Sequence, residues 1–272
     1  MTGFKYDNIV CMDTLNAFNL LFTRNIPDGL RFRSFGTPHI AYLLAAALLA
    51  FIMAMRAKHL DAARKEKSLK FFAWALPIIY LSRFTVFILL DTFVEPQMSL
   101  LDRLPFHLCA LNAIIIPLAV SKNSKTLFNY MYCISLPGAA AAMLTPAMSY
   151  YGQYFFISWQ IVFFYLDHTV MTLVPVLAVA YGKFRPDYRR LPHVAAIIVP
   201  YTIAVYFADK LLNENWLFLN YPDEGTIIAL FAVYFGNPGY LAAMFALAFA
   251  VIFLLYLPWI IDGKIIRHGQ NK

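Results

Sequence analysis

Long apolar runs separated by short polar ones dominate the chain, and their lengths set the first expectation. Seven stretches, at about 37–55, 71–90, 104–120, 127–148, 155–181, 192–208 and 239–261, approach the length a membrane helix needs. That length is about 20 consecutive apolar residues, because a helix rises about 1.5 Å per residue across a bilayer core about 30 Å thick. The fourth stretch is the weakest, since Pro137, Gly138 and Pro146 interrupt it. Such breaks are tolerated where neighbouring helices satisfy the freed backbone groups. Strand-length alternation with turn signals is absent, which argues against an outer-membrane barrel. The pattern predicts an all-α membrane protein, a bundle of seven transmembrane helices.

The polar runs between the spans alternate in charge. Arg56–Lys70 is rich in Lys and Arg, Ser121–Lys125 carries two lysines, and Gly182–Arg190 carries four basic residues. The tail adds Lys264, Arg267 and Lys272. The intervening loops read the other way: Asp91–Arg103 has one basic residue against three acids, and Met148–Tyr154 has no charge. Basic residues collect in loops on the cytoplasmic side, so seven spans put the N-terminus outside and the C-terminus in the cytoplasm. The expected organisation is an extracytoplasmic segment at 1–36, a membrane domain at 37–261 and a cytoplasmic tail at 262–272. Within the first segment, Leu15, Phe18 and Phe22 recur at helical spacing, which fits an interfacial helix or an ordinary loop. No cleavable signal peptide is read, since the first long apolar run begins at Thr37.

Composition agrees. The 272 residues are 61% hydrophobic and 14% charged, with a mean hydropathy of +0.62; soluble domains are nearer half apolar and a quarter charged. The net charge of +7 then reflects topology rather than nucleic-acid binding, and the expected location is the cell membrane. Three cysteines, Cys11, Cys109 and Cys133, make no disulfide framework.

In such a chain the informative residues are the polar ones inside the spans, because each charge there costs about 2.5–3.5 kcal/mol on insertion scales. They are Arg83, Gln160, Asp167 and His168, with His107, Cys109 and Asn112 nearer the outer edge, Asp209 and Lys210 closing the sixth span and His39 opening the first. Arg83 and Asp167 read as a structural ion pair or as part of a functional pathway. Asn112 and Gln160 read equally well as hydrogen bonds between helices. His107 and Cys109 are two residues apart and face different ways on a helix, so a base for the thiol has to come from another element. His168 is the candidate, sharing a stripe with Phe164 and Thr172. A free thiol is only about 3% ionised at pH 7, so a nucleophilic cysteine needs a nearby base or cation. Other chemistries lack their residues: the last span has no lysine for retinal, and no paired metal-binding spacing occurs. Convergence of His39, His107, Cys109 and His168 on a metal is a remaining alternative; no metal or cofactor is expected.

The blocks FGTPHIAYLL, LPFHLCALNAIIIPLAV, YLDHTVMTLVPVLAVAYGKFRPDYRR and NENWLFLNYP together resemble the YwaF-like integral membrane proteins of bacteria, whose eukaryotic relatives form the transmembrane protein 164 family. The likeness runs from about Phe35 to the last span. It implies a helical bundle with a polar cavity in one leaflet. In the eukaryotic branch it implies transfer of fatty acyl chains between phospholipids through an acyl-cysteine. Carried over by motif, Cys109 is the nucleophile and His168 the base. His107 and His39 line the pocket, and Asn215 and Pro222 belong to the outer loop. This sequence departs from the pattern at Asp167 and Thr169, beside the histidine, and at the loop ending AVYFGNPGY.

Two functions are therefore weighed. One is a phospholipid acyltransferase or acyl hydrolase at the outer leaflet, with Cys109, His168 and His107 catalytic and with His39, Arg83, Asn112, Gln160, Asp167 and Asn215 binding substrate. The other is a transporter or sensor with an Arg83/Asp167/His168 pathway, in which Cys109 is incidental. The expected partners are membrane phospholipids.

Overall fold

The computed structural model describes residues 17–24, 26–93 and 104–270. Cys11, Leu15, Lys272 and residues 94–103 of the Asp91–Arg103 loop lie outside them. The elements in order are α1 (Ala17–Phe22), α2 (Thr37–Arg56), α3 (Ala62–Phe93), α4 (Leu108–Lys122), α5 (Lys125–Tyr130), a π-helical turn (Met131–Ser135), α6 (Leu136–Leu144), α7 (Met148–Tyr151), α8 (Trp159–Ala180), α9 (Leu191–Leu212), α10 (Ile227–Phe235) and α11 (Gly239–Gln270). Besides helices, the described residues hold one isolated antiparallel bridge, Arg31 with Phe155.

Six segments among the described residues are helices long and apolar enough to cross a membrane. They are Thr37–His59, Ala62–Leu89, Lys125–Leu144, Trp159–Ala180, Tyr188–Leu212 and Gly239–Asp262. The remaining expected span, 104–120, yields only the 15-residue α4. At 1.5 Å per residue that helix covers about 22 Å, short of a bilayer core. Its late start is local: His107 caps it in extended backbone, and the Leu104–His107 turn precedes it. The interrupted fourth stretch is continuous from Lys125 to Leu144. It passes Pro137 by widening into the π turn just before it, which relieves a ring that would otherwise crowd the preceding turn. It ends at Thr145, ahead of Pro146.

Helix boundaries follow from short polar residues. The side chains of Ser124, Ser158 and Thr226 accept the backbone N–H groups of Leu127, Ile161 and Ala229 at the starts of α5, α8 and α10. Asn123 and Asn213 close α4 and α9 in the left-handed conformation that asparagine tolerates.

Helix α8 is the axle. In its most apolar window 72% of residues are buried, against 6–11% for α2, α3, α9 and α11. It packs on α3, α6 and α2. The outer helices present Phe51, Ile78, Phe207, Phe249 and Phe253 outward, an apolar surface that suits lipid. The three basic loops gather at one end: Lys183 pairs with Glu66 at 2.8 Å, Phe184 stacks on Phe128, and the Asp187 N–H donates to Asn129 Oδ1.

A buried polar knot ties α4 to its neighbours. Asn112 Oδ1 accepts the hydroxyls of Ser135 at 2.8 Å and Tyr130 at 3.2 Å, and its amide points at Met171 Sδ. All three polar residues are essentially without solvent contact. Asn112→Leu is expected to lower stability by about 1–3 kcal/mol, because two buried hydroxyls lose their acceptor; thermal unfolding in detergent measures it.

Candidate active site

Three helices bring the candidate residues together. Arg83 lies two-thirds of the way along α3, Cys109 sits at the second position of α4, and Asp167 and His168 are in the middle of α8. Asp167 is fully buried and uses its two carboxylate oxygens in different directions. Oδ2 faces the Arg83 guanidinium at 3.3 Å, with Arg83 itself only 14% exposed. Oδ1 accepts the Nδ1–H of His168 in a short hydrogen bond, and the same ring nitrogen lies 2.8 Å from the Phe164 carbonyl. Two acceptors on Nδ1 place the proton there in the neutral ring, leaving the Nε2 lone pair free. Nε2 has no hydrogen-bond partner among the described residues.

The Cys109 side chain lies beside the Arg83 guanidinium and in the field of Asp167. The thiol's neighbour is thus a cation on α3, and no hydrogen bond joins Cys109 to His168. The link between them runs through Arg83 and Asp167. Arg83 is held from a third side by the Tyr80 ring, whose centroid is 5.6 Å away.

Two tyrosines at this site escaped the sequence reading. Tyr80 is three residues before Arg83, so helical spacing from a buried charge was the available signal. Tyr151, in α7, gave no such signal, because it arrives through a loop between spans. It lies in the field of Arg83, Asp167 and Cys109, with its ring 4.3 Å from Phe164. Burial pushes its hydroxyl above the ordinary phenol range, opposed by Arg83 and assisted by Asp167, so it keeps its proton as a hydrogen-bond donor.

The other candidates sit elsewhere. His107 Nδ1–H donates to the Trp216 carbonyl at 2.7 Å and its ring faces Phe218. His107 therefore pins the loop after α9 to the start of α4, while Cys109, two residues on, faces Arg83. That division explains why one motif carries both residues. His39 is fully buried, with both ring nitrogens bonded to backbone: Nδ1 accepts from Phe35 N–H and Nε2 donates to the Met143 carbonyl. Asn112 is committed to the knot described above. Gln160 is buried in the first turn of α8, about 10 Å along the axis from Asp167. Asn215 organises the loop after α9, donating to the Tyr221 carbonyl and accepting from Asn220 N–H. The four residues weighed as metal ligands do not gather, and no group of three or more His, Cys, Asp or Glu able to hold a metal occurs among the described residues.

The loop after α9 also fixes α7. Met148 N–H donates to the Glu224 carbonyl, and Gly225 follows with φ +78°, where a Cβ would come within 2.5 Å of Met148 Cγ. Gly225→Ala is expected to destabilise by about 1–3 kcal/mol through strained backbone and to displace Tyr151; detergent unfolding and tyrosine fluorescence report the two effects.

The fold and cluster define a multi-pass helical membrane protein whose bundle encloses a thiol, a guanidinium, a carboxylate and an imidazole. The chain belongs to the TMEM164 family, whose model matches residues 34–256. No curated protein and no solved structure matches it.

Proposed function

We propose that this protein is a phospholipid acyltransferase that works through an acyl-Cys109 intermediate. The observation that carries the reading is Cys109 lying beside Arg83, whose other side faces an Asp167–His168 dyad. A nucleophilic thiol requires a cation or a base, and Arg83 is the fixed cation placed to offset what a thiolate loses when it forms away from water. The Cys109 sulfur attacks the ester carbonyl of a phospholipid, forming a thioester and releasing the lysolipid oxygen, which takes the thiol's proton. His168 Nε2 then removes the proton of the acceptor hydroxyl as that oxygen attacks the thioester, and the returning sulfur is reprotonated from His168. Asp167 holds the ring for this task. Tyr151 supplies a hydrogen bond to the carbonyl oxygen as charge develops on it. The bundle has seven spans with α4 the short one, the basic end in the cytoplasm and Cys109 toward the outer leaflet of the cell membrane.

Intact-protein mass spectrometry after incubation with phospholipid tests the proposal. An acyl-sized adduct is expected on the wild type and absent from Cys109→Ala. Acyl transfer undiminished in both Cys109→Ala and Cys109→Ser overturns it. A second reading, a transporter or sensor, has its own support in the buried Arg83–Asp167 pair and the π turn, a feature frequent at functional sites. It differs in outcome: Cys109→Ala is then silent and Asp167→Asn abolishes function.

A further inference from the structure

At the end of the bundle where the basic loops meet, a cavity of about 270 Å³ opens between the start of α3 and the turn after α8. Its walls include Lys65, Glu66, Leu69, Tyr181, Gly182 and Lys183, none of which belongs to the site above. Leu69 and Tyr181 form the buried floor, and the Tyr181 hydroxyl is 3.2 Å from Ser68 Oγ. Gly182, at φ +69°, has nothing within 4 Å of the place a Cβ would occupy, so the turn leaves the mouth open.

The charges in this cavity do not balance. Glu66 meets Lys183 at 2.8 Å and Lys70 at 3.3 Å, one carboxylate between two ammonium groups. Lys65 has no carboxylate partner among the described residues. Depth points to the source of a complementary anion. Phe71 and Trp74 begin the outward apolar face of α3, about 8 Å along the helix from Glu66. That is roughly one headgroup layer, which sets the cavity level with lipid phosphates rather than out in solution.

We infer that this cavity binds the phosphate of an anionic phospholipid headgroup, with Lys65 and Lys183 as its cations and the Tyr181 hydroxyl as a donor. A basic pocket between membrane helices at the basic-loop end is the setting in which such headgroups are held. Glu66 holds Lys183 in place while the site is empty and yields it to the phosphate when it fills. The site is independent of Cys109.

The test titrates the full chain in a zwitterionic detergent with short-chain phosphatidic acid, short-chain phosphatidylcholine and inorganic phosphate. Phosphatidic acid is expected to bind at least about tenfold tighter than phosphatidylcholine, and a hundredfold excess of inorganic phosphate is expected not to displace it. Lys65→Gln with Lys183→Gln removes the preference, whereas Arg189→Gln with Arg190→Gln, at the same end but outside the cavity, retains it. Glu66→Gln tightens binding severalfold, a gain that misfolding does not mimic. Equal affinity for the two lipids, unchanged preference in the lysine variant, or no gain in Glu66→Gln overturns the site; displacement by inorganic phosphate overturns its assignment to a lipid. Adduct formation at Cys109, measured on the same lysine variant, is expected to be unchanged.

Discussion

Asp167→Leu is expected to destabilise the protein by about 3–5 kcal/mol, the larger of the structural effects foreseen here. The cost arises from what stays behind. Arg83 remains in a site where it is 14% exposed, with its carboxylate gone, and an uncompensated buried charge is far worse than a missing pair. Arg83→Met is expected to do comparable damage by stranding the fully buried Asp167. The double variant, Arg83→Met with Asp167→Leu, is expected to recover most of the loss, because two apolar side chains of similar volume fill the place of the pair. Unfolding of purified protein in mixed micelles measures all three. Strict addition of the two single losses would mean that the residues act separately. Asp167→Asn is the milder companion: it keeps an acceptor for His168 and removes the charge facing Arg83.

How much of this was legible in the chain differs by element. The positions of α2, α3, α8, α9 and α11 follow from apolar runs long enough to span, and their caps from single residues such as Ser158 and Asn213. α4 was overestimated because hydropathy counts Leu104, Pro105 and Phe106 as span, whereas the backbone there turns before the helix starts. α10 was missed: nine apolar residues are too few for a span, and the helix instead lies against α11. The polar residues of the spans were visible as a set, since each is costly in lipid, but their partners were not. Sequence spacing speaks only within one helix. It shows that Asp167 and His168 are neighbours and is silent on which of α3, α4 or α7 faces them. Arg83 against Cys109 is a contact between helices, fixed by how α3 and α4 pack beside α8. The histidines divide on the same ground. His39 and His107 are anchors whose acceptors, Met143 and Trp216, are backbone carbonyls about a hundred residues away.

Replacing His168 by asparagine is expected to stop turnover while leaving the first half of the reaction running. The side-chain amide of asparagine can place an N–H close to where Nδ1–H now meets Asp167 and the Phe164 carbonyl, so the local bonds of α8 are kept. What disappears is the Nε2 lone pair. In the proposed division of labour Arg83 supports the thiolate, and attack by Cys109 therefore survives. Removal of the acceptor's proton depends on Nε2, and general-base catalysis of such a step contributes about 10²–10⁴-fold. Acyl-Cys109 then accumulates, and mass spectrometry of the variant is expected to show a larger steady-state adduct than the wild type, with acyl transfer down by two or more orders of magnitude. Arg83→Met should show the opposite: no adduct and no transfer, because the thiol has lost its cation. Identical behaviour of the two variants, adduct-free and inactive, would place His168 upstream of the thioester and return to the imidazole the role assigned here to the guanidinium.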